Sequence, residues 1–396
     1  MDDREDVAGG DPNSWRLDTV LAHAGLSPGA FHGFVNPPVV RASTVLFPNV
    51  EAMRERSEQR YSYGLTNTPT IEALVEALSR LDGASGTVLV PSGLAAVTTA
   101  ILTAIRPGGK ILVPDNVYGP TRRFCDETLP AFGVETIYYD PLIGSGISGL
   151  LDGASALFME APGSHTFEMS DIPAFVAAAR AAGALTMMDN TWATPLIYRP
   201  LEHGIDLAIY AGTKYQAGHS DLLIGSISAG ANAWPALRRL HRNLGTQAGT
   251  EEIWLTLRGL RTMGVRLERH ERSALEIARW LQGRPEVARV LHPALPEDPG
   301  HAIWKRDFGR STGLFGVVLR GEERQAVKFL NALRLFGLGY SWGGFESLAV
   351  LSELNEHRTV RSWTEGPVVR LHIGLEDVAD LKADLEAGFA AMAAAS

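Results

Sequence analysis

The sequence predicts an α/β protein with a mostly parallel central sheet and a smaller C-terminal α+β domain. Between about residues 69 and 259, short apolar runs typical of buried strands alternate with stretches of helical periodicity. Beyond residue 259 this alternation gives way to a long amphipathic helix and a looser mixture of strands and helices. We therefore expect an N-terminal tail and extended arm for subunit contacts (1–62), an α/β domain (63–258) and an α+β domain (259–396).

The N-terminal part is predicted to be extended. Residues 1–15 are acidic and interrupted by Gly and Pro, a composition typical of a frayed tail. From residue 17 to about residue 60 prolines interrupt the chain, and one short helix is predicted at 50–59. Such an arm cannot bury its own apolar side chains, so we expect it to wrap another part of the protein or a second subunit.

The elements of the two domains follow from local patterns. Apolar residues at helical spacing indicate a helix at 71–81, and the next helix, at 95–105, is stopped by Arg106-Pro-Gly-Gly109. Further helices are predicted at 121–132, 172–182, about 259–281, 322–333 and 377–393. Apolar runs bounded by turn residues predict strands at 87–90, 110–114, 134–139, 156–160, 185–189, 207–211, 287–291, 313–320 and 368–375.

Composition excludes several classes of protein. The net charge of −9, from 36 Lys and Arg against 45 Asp and Glu, argues against nucleic acid as a partner because phosphate binding needs a basic surface. The single cysteine, Cys125, rules out an intrachain disulfide and a Cys-rich metal site, and fits a reducing compartment. No apolar run approaches the roughly 20 residues of a membrane helix. We expect a cytoplasmic protein without metal or membrane.

Lys214 lies in an unusual place for a lysine. The apolar run at 207–211 indicates a buried strand, and it leads into a segment too rich in Gly and small polar residues to form a helix. Lysine is seldom fully buried, and burial favours the neutral amine, which attacks carbonyls and forms Schiff bases. From this stretch alone two interpretations stay open: a Schiff-base lysine, or a strand-end lysine that reaches into water.

Other strand ends carry residues suited to the same ligand. Ser92-Gly93 joins a strand directly to a helix, whose free N–H groups can hold a phosphate, although many helices begin this way without a ligand. Asp189 ends an apolar strand, where it either caps a loop or stays ionised beside a cationic aromatic nitrogen. Tyr118 follows a strand end and could stack on an aromatic ring. With Lys214, these parts suggest pyridoxal 5′-phosphate (PLP).

Several motifs in the right order resemble the Cys/Met-metabolism family of PLP enzymes, the trans-sulfuration enzymes, and within it the bacterial carbon–sulfur β-lyases. The resemblance covers residue 17 to the end of the sequence. Its most specific segments are MDNTW (188–192), TKYQAGHSD (213–221), RGLRTMGVRL (258–267), STGLF (311–315), YSWGGFESL (340–348) and RLHIGLEDVADLKADLEAGF (370–389). It implies a type I PLP-dependent transferase fold, like that of aspartate aminotransferase, in which 63–258 binds the cofactor.

The resemblance implies a role for each matching residue around the cofactor. Lys214 would form the Schiff base with PLP, Asp189 would pair with its ring nitrogen, and Tyr118 would stack on the ring. The phosphate would be bound by the amides of Gly93 and Leu94, the hydroxyl of Thr213, and Tyr63 reaching from a neighbouring subunit.

The resemblance also implies how the substrate is held and cleaved. Arg370 would grip the α-carboxylate through a bidentate contact, unless it forms a surface salt bridge. Ser341 and Trp342 would complete that end of the pocket, or serve only as a strand-end turn and a core aromatic. Lys214 would remove the α-proton, and Lys214 or one of the site tyrosines would protonate the departing sulfur. The implied reaction is the α,β-elimination of L-cystathionine to homocysteine, pyruvate and ammonia.

Three positions depart from the family pattern. The phosphate-binding pattern Tyr-x-Arg is here Tyr63-Gly64-Leu65, so the arginine contributed across the dimer is missing. The serine that often stands two residues before Thr-Lys is Ala211. Close β-lyase relatives can carry an acidic residue in place of Arg123, at a position implicated in recognising the distal amino group of cystathionine. We therefore expect the departures to affect phosphate binding and substrate choice rather than the chemistry.

Alternatives within and outside the family stay open. The same scaffold supports a cysteine-S-conjugate β-lyase, a γ-lyase, a γ-synthase or an amino-acid racemase. A chain that only carries PLP, without catalysis, is the alternative from a different class. The expected partners are a small-molecule amino-acid substrate and further copies of the chain, in a homotetramer built as a dimer of dimers with active sites shared across each dimer.

Overall fold

A computed structural model of the chain describes residues 15–355 and 358–394. The tail predicted at 1–15 lies outside the described residues, apart from Trp15. Helices are α1 (Leu17–His23), α2 (Val50–Arg54), α3 (Pro69–Asp82), α4 (Gly93–Ala104), α5 (Gly119–Arg123), α6 (Ile172–Ala182), α7 (Thr194–Ile197), α8 (Trp234–Leu244), α9 (Thr250–Leu260), α10 (Met263–Gln282), α11 (His301–Asp307), α12 (Glu323–Ala332) and α13 (Val378–Ala393). Strands are β1 (Gly86–Val90), β2 (Lys110–Pro114), β3 (Glu135–Tyr139), β4 (Ala154–Glu160), β5 (Leu185–Asp189), β6 (Leu207–Tyr210), β7 (Gly225–Ala229), β8 (Val287–Leu291), β9 (Leu314–Leu319), β10 (Gly337–Leu338), β11 (Leu348–Ser352) and β12 (Val368–His372).

A mostly parallel sheet forms the centre of the larger domain. In the described chain it has seven strands in the order β1-β7-β6-β5-β4-β2-β3, and only β7 runs antiparallel to its neighbours. Its central parallel strands are mostly apolar, as expected for a sheet with helices on both faces. The carboxyl ends of β2, β4, β5 and β6 meet at one edge, where open α/β sheets bind ligands. The predicted α/β class with a mostly parallel sheet is confirmed.

A second, smaller sheet lies in the C-terminal part of the chain. Its five strands, counted over the described residues, have the order β10-β11-β12-β9-β8. β12 is antiparallel to both β11 and β9 and is buried along its whole length. Helices α10, α12 and α13 pack an apolar core against this sheet. The strand that carries Arg370 is therefore held rigidly on both sides.

Some elements differ from the prediction for identifiable reasons. The helix predicted at 121–132 is broken into α5, a π-helical turn (Phe124–Thr128) and a 3₁₀ turn (Leu129–Phe132). Pro130 lies in that stretch and has no N–H to donate, so the regular helix cannot continue through it. Strand β7 has the sequence GSISA, which carries no apolar signal, and it is buried only because β1 and β6 enclose it.

The N-terminal arm is divided between two environments. Val20 and Leu21 of α1 are buried against α3 and α10, and the Arg261 guanidinium donates to the carbonyl of Leu21 at 2.6 Å. Farther along, Phe34 and Leu46 are 70% and 88% exposed. The arm thus packs on its own chain at its start and leaves later apolar side chains uncovered. Within the described residues, no helix combines the length and apolar character needed to cross a membrane.

Candidate active site

A cavity of about 540 Å³ lies at the carboxyl ends of the parallel strands, between the two sheets. All of the site residues predicted from the sequence line this cavity except Tyr63. Those lining it are Gly93, Leu94, Tyr118, Asp189, Thr213, Lys214, Ser341, Trp342 and Arg370. The structure therefore brings together residues from six separate segments of the chain.

Lys214 is placed in the cavity by the turn that follows β6. Its Nζ donates a hydrogen bond to Ser341 Oγ at 2.6 Å and lies 5.3 Å from the centre of the Trp342 ring. Burial, and then the positive charge of Arg370, lowers the pKa of Lys214 to about 8, whereas Asp189 opposes the shift. A solvated strand-end lysine does not describe this side chain. Roughly a tenth of it is therefore the neutral, nucleophilic amine at pH 7, several hundred times more than for a lysine with the ordinary pKa.

Two carboxyl groups lie side by side at the ends of neighbouring strands. Asp189 ends β5 and Glu160 ends β4, and the two residues are paired in the sheet register. The Thr191 N–H donates to Asp189 Oδ1 at 3.0 Å, and the Tyr118 N–H donates to Glu160 Oε2 at 2.9 Å. Burial raises the pKa of Asp189, and burial together with the charge of Asp189 raises that of Glu160 well above its usual value. Sequence reasoning missed Glu160, although it carries the same signal as Asp189, a carboxylate that ends an apolar strand.

The N-terminus of α4 faces the cavity with free backbone donors. Ser92 Oγ accepts the Ala95 N–H at 3.1 Å, whereas the N–H groups of Gly93 and Leu94 have no acceptor among the described residues. A Cβ on Gly93 would lie 2.4 Å from the Cβ of Ala211, so only glycine lets the helix approach the end of β6 this closely. The pair of free donors at the positive end of a helix suits an anion.

The Thr213 hydroxyl already forms two hydrogen bonds within the protein. Its hydroxyl accepts the Ile224 N–H at 3.0 Å and donates to the Ile224 carbonyl at 3.2 Å. The hydroxyl oxygen keeps one lone pair that can accept a further hydrogen bond, but its proton is already donated to the Ile224 carbonyl. Its role in binding phosphate stays a prediction.

Arg370 is a buried cation that no described carboxylate pairs with. It stands in the middle of β12 and is 8% exposed, and its Nη2 donates to the Ser341 carbonyl at 3.1 Å. Burial lowers the pKa of Arg370 to about 10, and no carboxylate of the described residues forms an ion pair with it. A surface salt bridge is thus excluded. A buried guanidinium of this kind is stabilised by an anionic ligand.

The rim of the cavity carries two charges of opposite sign. Arg123 and Glu353 are exposed members of the lining, and neither has a hydrogen-bonding or ion-pair partner among the described residues. The Tyr118 ring, 41% exposed, lies on the same wall as Arg123. Tyr63 lies outside this cavity, 48% exposed, in an isolated bridge with Thr44.

A buried ionic cluster, missed by sequence reasoning, closes one wall of the cavity. Asp115 pairs with Arg122 at 2.8 Å and accepts the N–H groups of Thr359 at 2.8 Å and Arg361 at 3.0 Å. Arg358, which lines the cavity, pairs with Glu168 at 2.9 Å. These bonds hold the segment 358–361 against the larger sheet. Because Thr359 is 244 residues from Asp115 and Arg358 is 190 residues from Glu168, local patterns could not reveal these contacts.

The donor set of the cavity fits PLP. The free N–H groups of Gly93 and Leu94 suit a phosphate, Asp189 suits a ring nitrogen, and the Lys214 amine suits an aldehyde. The Tyr118 ring offers an apolar face of the right kind. Among the described residues no three His, Cys, Asp or Glu side chains form a group that could hold a metal ion.

Comparisons with known proteins agree with this donor set. The family model described as "Cys/Met metabolism PLP-dependent enzyme" matches residues 18–390. A putative cystathionine β-lyase of Rhizobium johnstonii is 56% identical over 96% of this chain and 97% of its own length. A cystathionine β-lyase of Escherichia coli is 43% identical over 95% of this chain and 98% of its own length.

Solved structures give the same result for the fold. A cystathionine γ-synthase of Xanthomonas oryzae pv. oryzae, solved in complex with cystathionine, is 30% identical and superposes with a TM-score of 0.89 over 96% of this chain and 99% of that one. The metB protein of Corynebacterium glutamicum is 31% identical, with the same TM-score and the same coverage.

Proposed function

Because the chain belongs to the Cys/Met metabolism family of PLP-dependent enzymes, we propose that it is a carbon–sulfur lyase of the cystathionine β-lyase type. The family, the type I fold and the PLP cofactor expected from the sequence motifs are confirmed by these matches. The proposed reaction is the α,β-elimination of L-cystathionine, which with water yields homocysteine, pyruvate and ammonia. The observation that carries the proposal is a buried lysine and a buried arginine that both donate to Ser341, where the arginine has no carboxylate partner among the described residues.

The cofactor is proposed to be held by groups from three segments. The N–H groups of Gly93 and Leu94 would bind its phosphate, Asp189 would pair with its ring nitrogen and Tyr118 would stack on its ring. A cationic nitrogen placed against Asp189 offsets the cost of burying that carboxylate. When bound, PLP supplies an electron sink for the electron pair left on the substrate after the α-proton departs.

Two further groups are proposed to complete the phosphate site. The Thr213 hydroxyl would donate to a phosphate oxygen in place of its present acceptor, the Ile224 carbonyl at 3.2 Å. Tyr63 would contribute its hydroxyl to the site of a neighbouring subunit. With Leu65 in place of the usual arginine, the phosphate is held chiefly by neutral donors, so we expect weaker binding of PLP than in relatives with arginine.

We propose that Arg370 orients the substrate and that Lys214 removes its α-proton. Arg370 binds the α-carboxylate through two parallel hydrogen bonds, and Ser341 and Trp342 close that end of the cavity. The Lys214 amine, held by Ser341 Oγ, accepts the α-proton at Nζ. The departing sulfur then takes a proton from Lys214 or from Tyr118, whose ring lies on the same wall.

The charges at the rim support a substrate whose far end is zwitterionic. With the α-carboxylate fixed at Arg370, a thioether side chain extends from the buried end of the cavity to its rim. The distal half of L-cystathionine carries one carboxylate and one ammonium group, which complement the free charges of Arg123 and Glu353. In this arrangement Arg123 takes the distal carboxylate instead of the distal amino group.

A substrate panel tests the proposal. The PLP-loaded protein would be given L-cystathionine, L-cystine and S-alkyl cysteines, and pyruvate, 2-oxobutyrate and the chirality of recovered substrate would be measured. We expect pyruvate, with L-cystathionine the best substrate. Abundant 2-oxobutyrate without pyruvate would indicate γ-elimination, the activity named for a relative from Dictyostelium discoideum that is 30% identical. Racemised amino acid without either product would indicate the activity named for a Wolbachia relative that is 37% identical. A lack of any turnover would favour a chain that only carries PLP.

We also propose a cytoplasmic homotetramer with active sites shared across each dimer. The uncovered apolar side chains Phe34 and Leu46 of the arm, and Tyr340 at the cavity rim, 87% exposed, support coverage by other copies of the chain. The position of Tyr63 outside its own cavity supports a role in a neighbouring site. Light scattering should give the mass of four 42.7 kDa chains, and a monomer would overturn this assembly.

A further inference from the structure

The turn formed by residues 341–344 presses directly on the backbone of Lys214. Ser341 and Gly343 both have positive φ, 84° and 85°. A Cβ on Gly343 would lie 2.9 Å from the backbone nitrogen of Tyr215 and 3.0 Å from the carbonyl carbon of Lys214, so the contact leaves no room for a side chain. Ser341 is strained in this conformation, since non-glycine residues seldom adopt it. The surrounding structure must hold the turn in place.

One imidazole reaches the centre of this turn from the second sheet. His372 lies two residues after Arg370 on β12, so both side chains project from the same face of the sheet. His372 is buried, and its Nε2 lies 3.1 Å from the Gly343 nitrogen and 3.2 Å from the Gly344 carbonyl oxygen. Either neutral tautomer ties the ring to the turn: a bare Nε2 accepts the Gly343 N–H, and a protonated Nε2 donates to Gly344.

Packing behind the imidazole keeps it in this position. The Tyr215 ring, which directly follows Lys214, lies 6.1 Å from the His372 ring and 5.4 Å from the Trp342 ring. The His270 ring lies 5.2 Å from that of His372, and its Nδ1 is fixed by the Ile373 carbonyl at 2.7 Å. Burial, with positive groups nearby, lowers the pKa of His372 well below its usual value. The ring therefore stays neutral, and protonation does not disturb its contacts with Gly343 and Gly344.

We propose that His372 is a positioning residue, which holds the 341–344 turn and thereby fixes the Ser341 hydroxyl against the Lys214 amine. Strand β12 would then position both the substrate carboxylate and the base. Arg370 positions the α-carboxylate, and His372 positions the base two residues farther on. The part of this inference that concerns catalysis rests on the proposed function, whereas the position of the Lys214 amine does not.

Substitution of His372 by Leu and by Gln tests the inference. Leucine fills the site without a hydrogen bond, whereas the Gln amide can accept from Gly343 and donate to Gly344. In the PLP-loaded H372L protein we expect kcat to fall about 10- to 100-fold, as for a misplacement of about 1 Å. KM should change less than kcat, because Arg370 stays on β12 although its hydrogen bond to the Ser341 carbonyl is disturbed. The pH midpoint of the visible absorbance of the bound cofactor should shift as well. H372Q should restore both.

His292 supplies a matched control, because it is also a fully buried imidazole near the second sheet but lies outside the cavity lining. Its substitution by Leu should lower the melting temperature while leaving the absorbance midpoint and kcat of the folded protein unchanged. An H372L protein with the wild-type midpoint and kcat would overturn the inference, as would equal losses in H372L and H292L. If the wild-type protein cleaves no thioether, the proposed function fails, but the absorbance midpoint still reports whether His372 positions Lys214.

Discussion

The buried end and the rim of the cavity differ in how firmly the protein holds their charged groups and in how far water reaches them. At the buried end, Lys214, Asp189 and Arg370 are fixed by strands or tight turns, and desolvation has shifted the pKa of each. At the rim, Arg123 and Glu353 are exposed and without partners among the described residues. With the roles proposed above, the reaction depends on groups whose environment the fold controls. The choice of substrate depends on groups that water screens.

The two ends should therefore respond very differently to substitution. Electrostatic interactions are strong where water is excluded and weak where it is not. Changes at the buried end should alter the rate by orders of magnitude. Changes at the rim should alter discrimination between substrates by small factors.

At the buried end, the largest loss of activity is expected for Lys214→Ala. Removal of the amine that donates to Ser341 takes away the proposed base, so pyruvate release should fall by more than about 10³-fold. The visible absorbance of the bound cofactor should change in the same variant. Lys382→Ala, on the exposed face of α13, is the control and should behave as wild type. Retention of pyruvate release by the Lys214 variant would contradict its assigned role.

The neighbouring carboxyl groups allow a finer test at the same end. Asp189→Asn should lower kcat roughly 10²- to 10³-fold, because a buried charge opposite the ring nitrogen is lost. Glu160→Gln should cost no more than about fivefold, because the Gln carbonyl can still accept the Tyr118 N–H. Steady-state rates and the affinity for PLP would both be measured. Equal losses in the two variants would show that the assignment to Asp189 alone is wrong.

Arg370→Gln separates binding from chemistry. Charge-assisted hydrogen bonds to a carboxylate contribute about 1.5–3 kcal/mol, so KM should rise roughly 10- to 100-fold. The measurement is KM for L-cystathionine at saturating PLP. Arg324→Gln, an exposed surface arginine on α12, serves as the control. An unchanged KM would place the α-carboxylate elsewhere.

The pH dependence of Lys214 tests why the buried end is reactive. The amine is neutral above its pKa, which burial and Arg370 lower from 10.5 to about 8. In cofactor-free protein the rate at which Lys214 reacts with an aldehyde should therefore rise through about pH 8. In Arg370→Gln the midpoint should move to higher pH, since one positive neighbour is lost. A wild-type midpoint near the ordinary value of 10.5 would mean that Lys214 is solvated.

The smallest effect is expected at the rim. Arg123→Gln should lower the preference for thioethers with a distal carboxylate by roughly two- to fivefold, because exposed charge pairs contribute only about 0.2–1 kcal/mol. The measurement is the ratio of kcat/KM for L-cystathionine to that for an S-alkyl cysteine without a distal charge. If Arg123→Gln lost activity toward L-cystathionine and the S-alkyl cysteine equally, Arg123 would have a role in the reaction itself. The distinction between the buried end and the rim would then fail.

Much of the fold was predictable because apolar runs and turn residues are local signals. Strand β5 ends at Asp189 and helix α6 spans 172–182, as predicted. Strand β7 was not predictable, since its Gly and Ser residues are buried only through their neighbours. The breaking of the 121–132 helix depends on a single proline. The pairing of Asp115 with the segment 358–361 joins parts of the chain that no local pattern connects.

The parts of the candidate site could be named from the sequence alone: a lysine after a strand, an aspartate ending another, a Ser-Gly helix start and an arginine in an apolar strand. Residue type and short-range spacing are local features, so they can be recognised before the arrangement of the parts is known. Tertiary structure was needed to show that Lys214 is desolvated, that Arg370 has no ion-pair partner among the described residues and that Glu160 lies beside Asp189. Burial and the distances between remote segments arise from packing, and packing sets the pKa values on which the reaction depends.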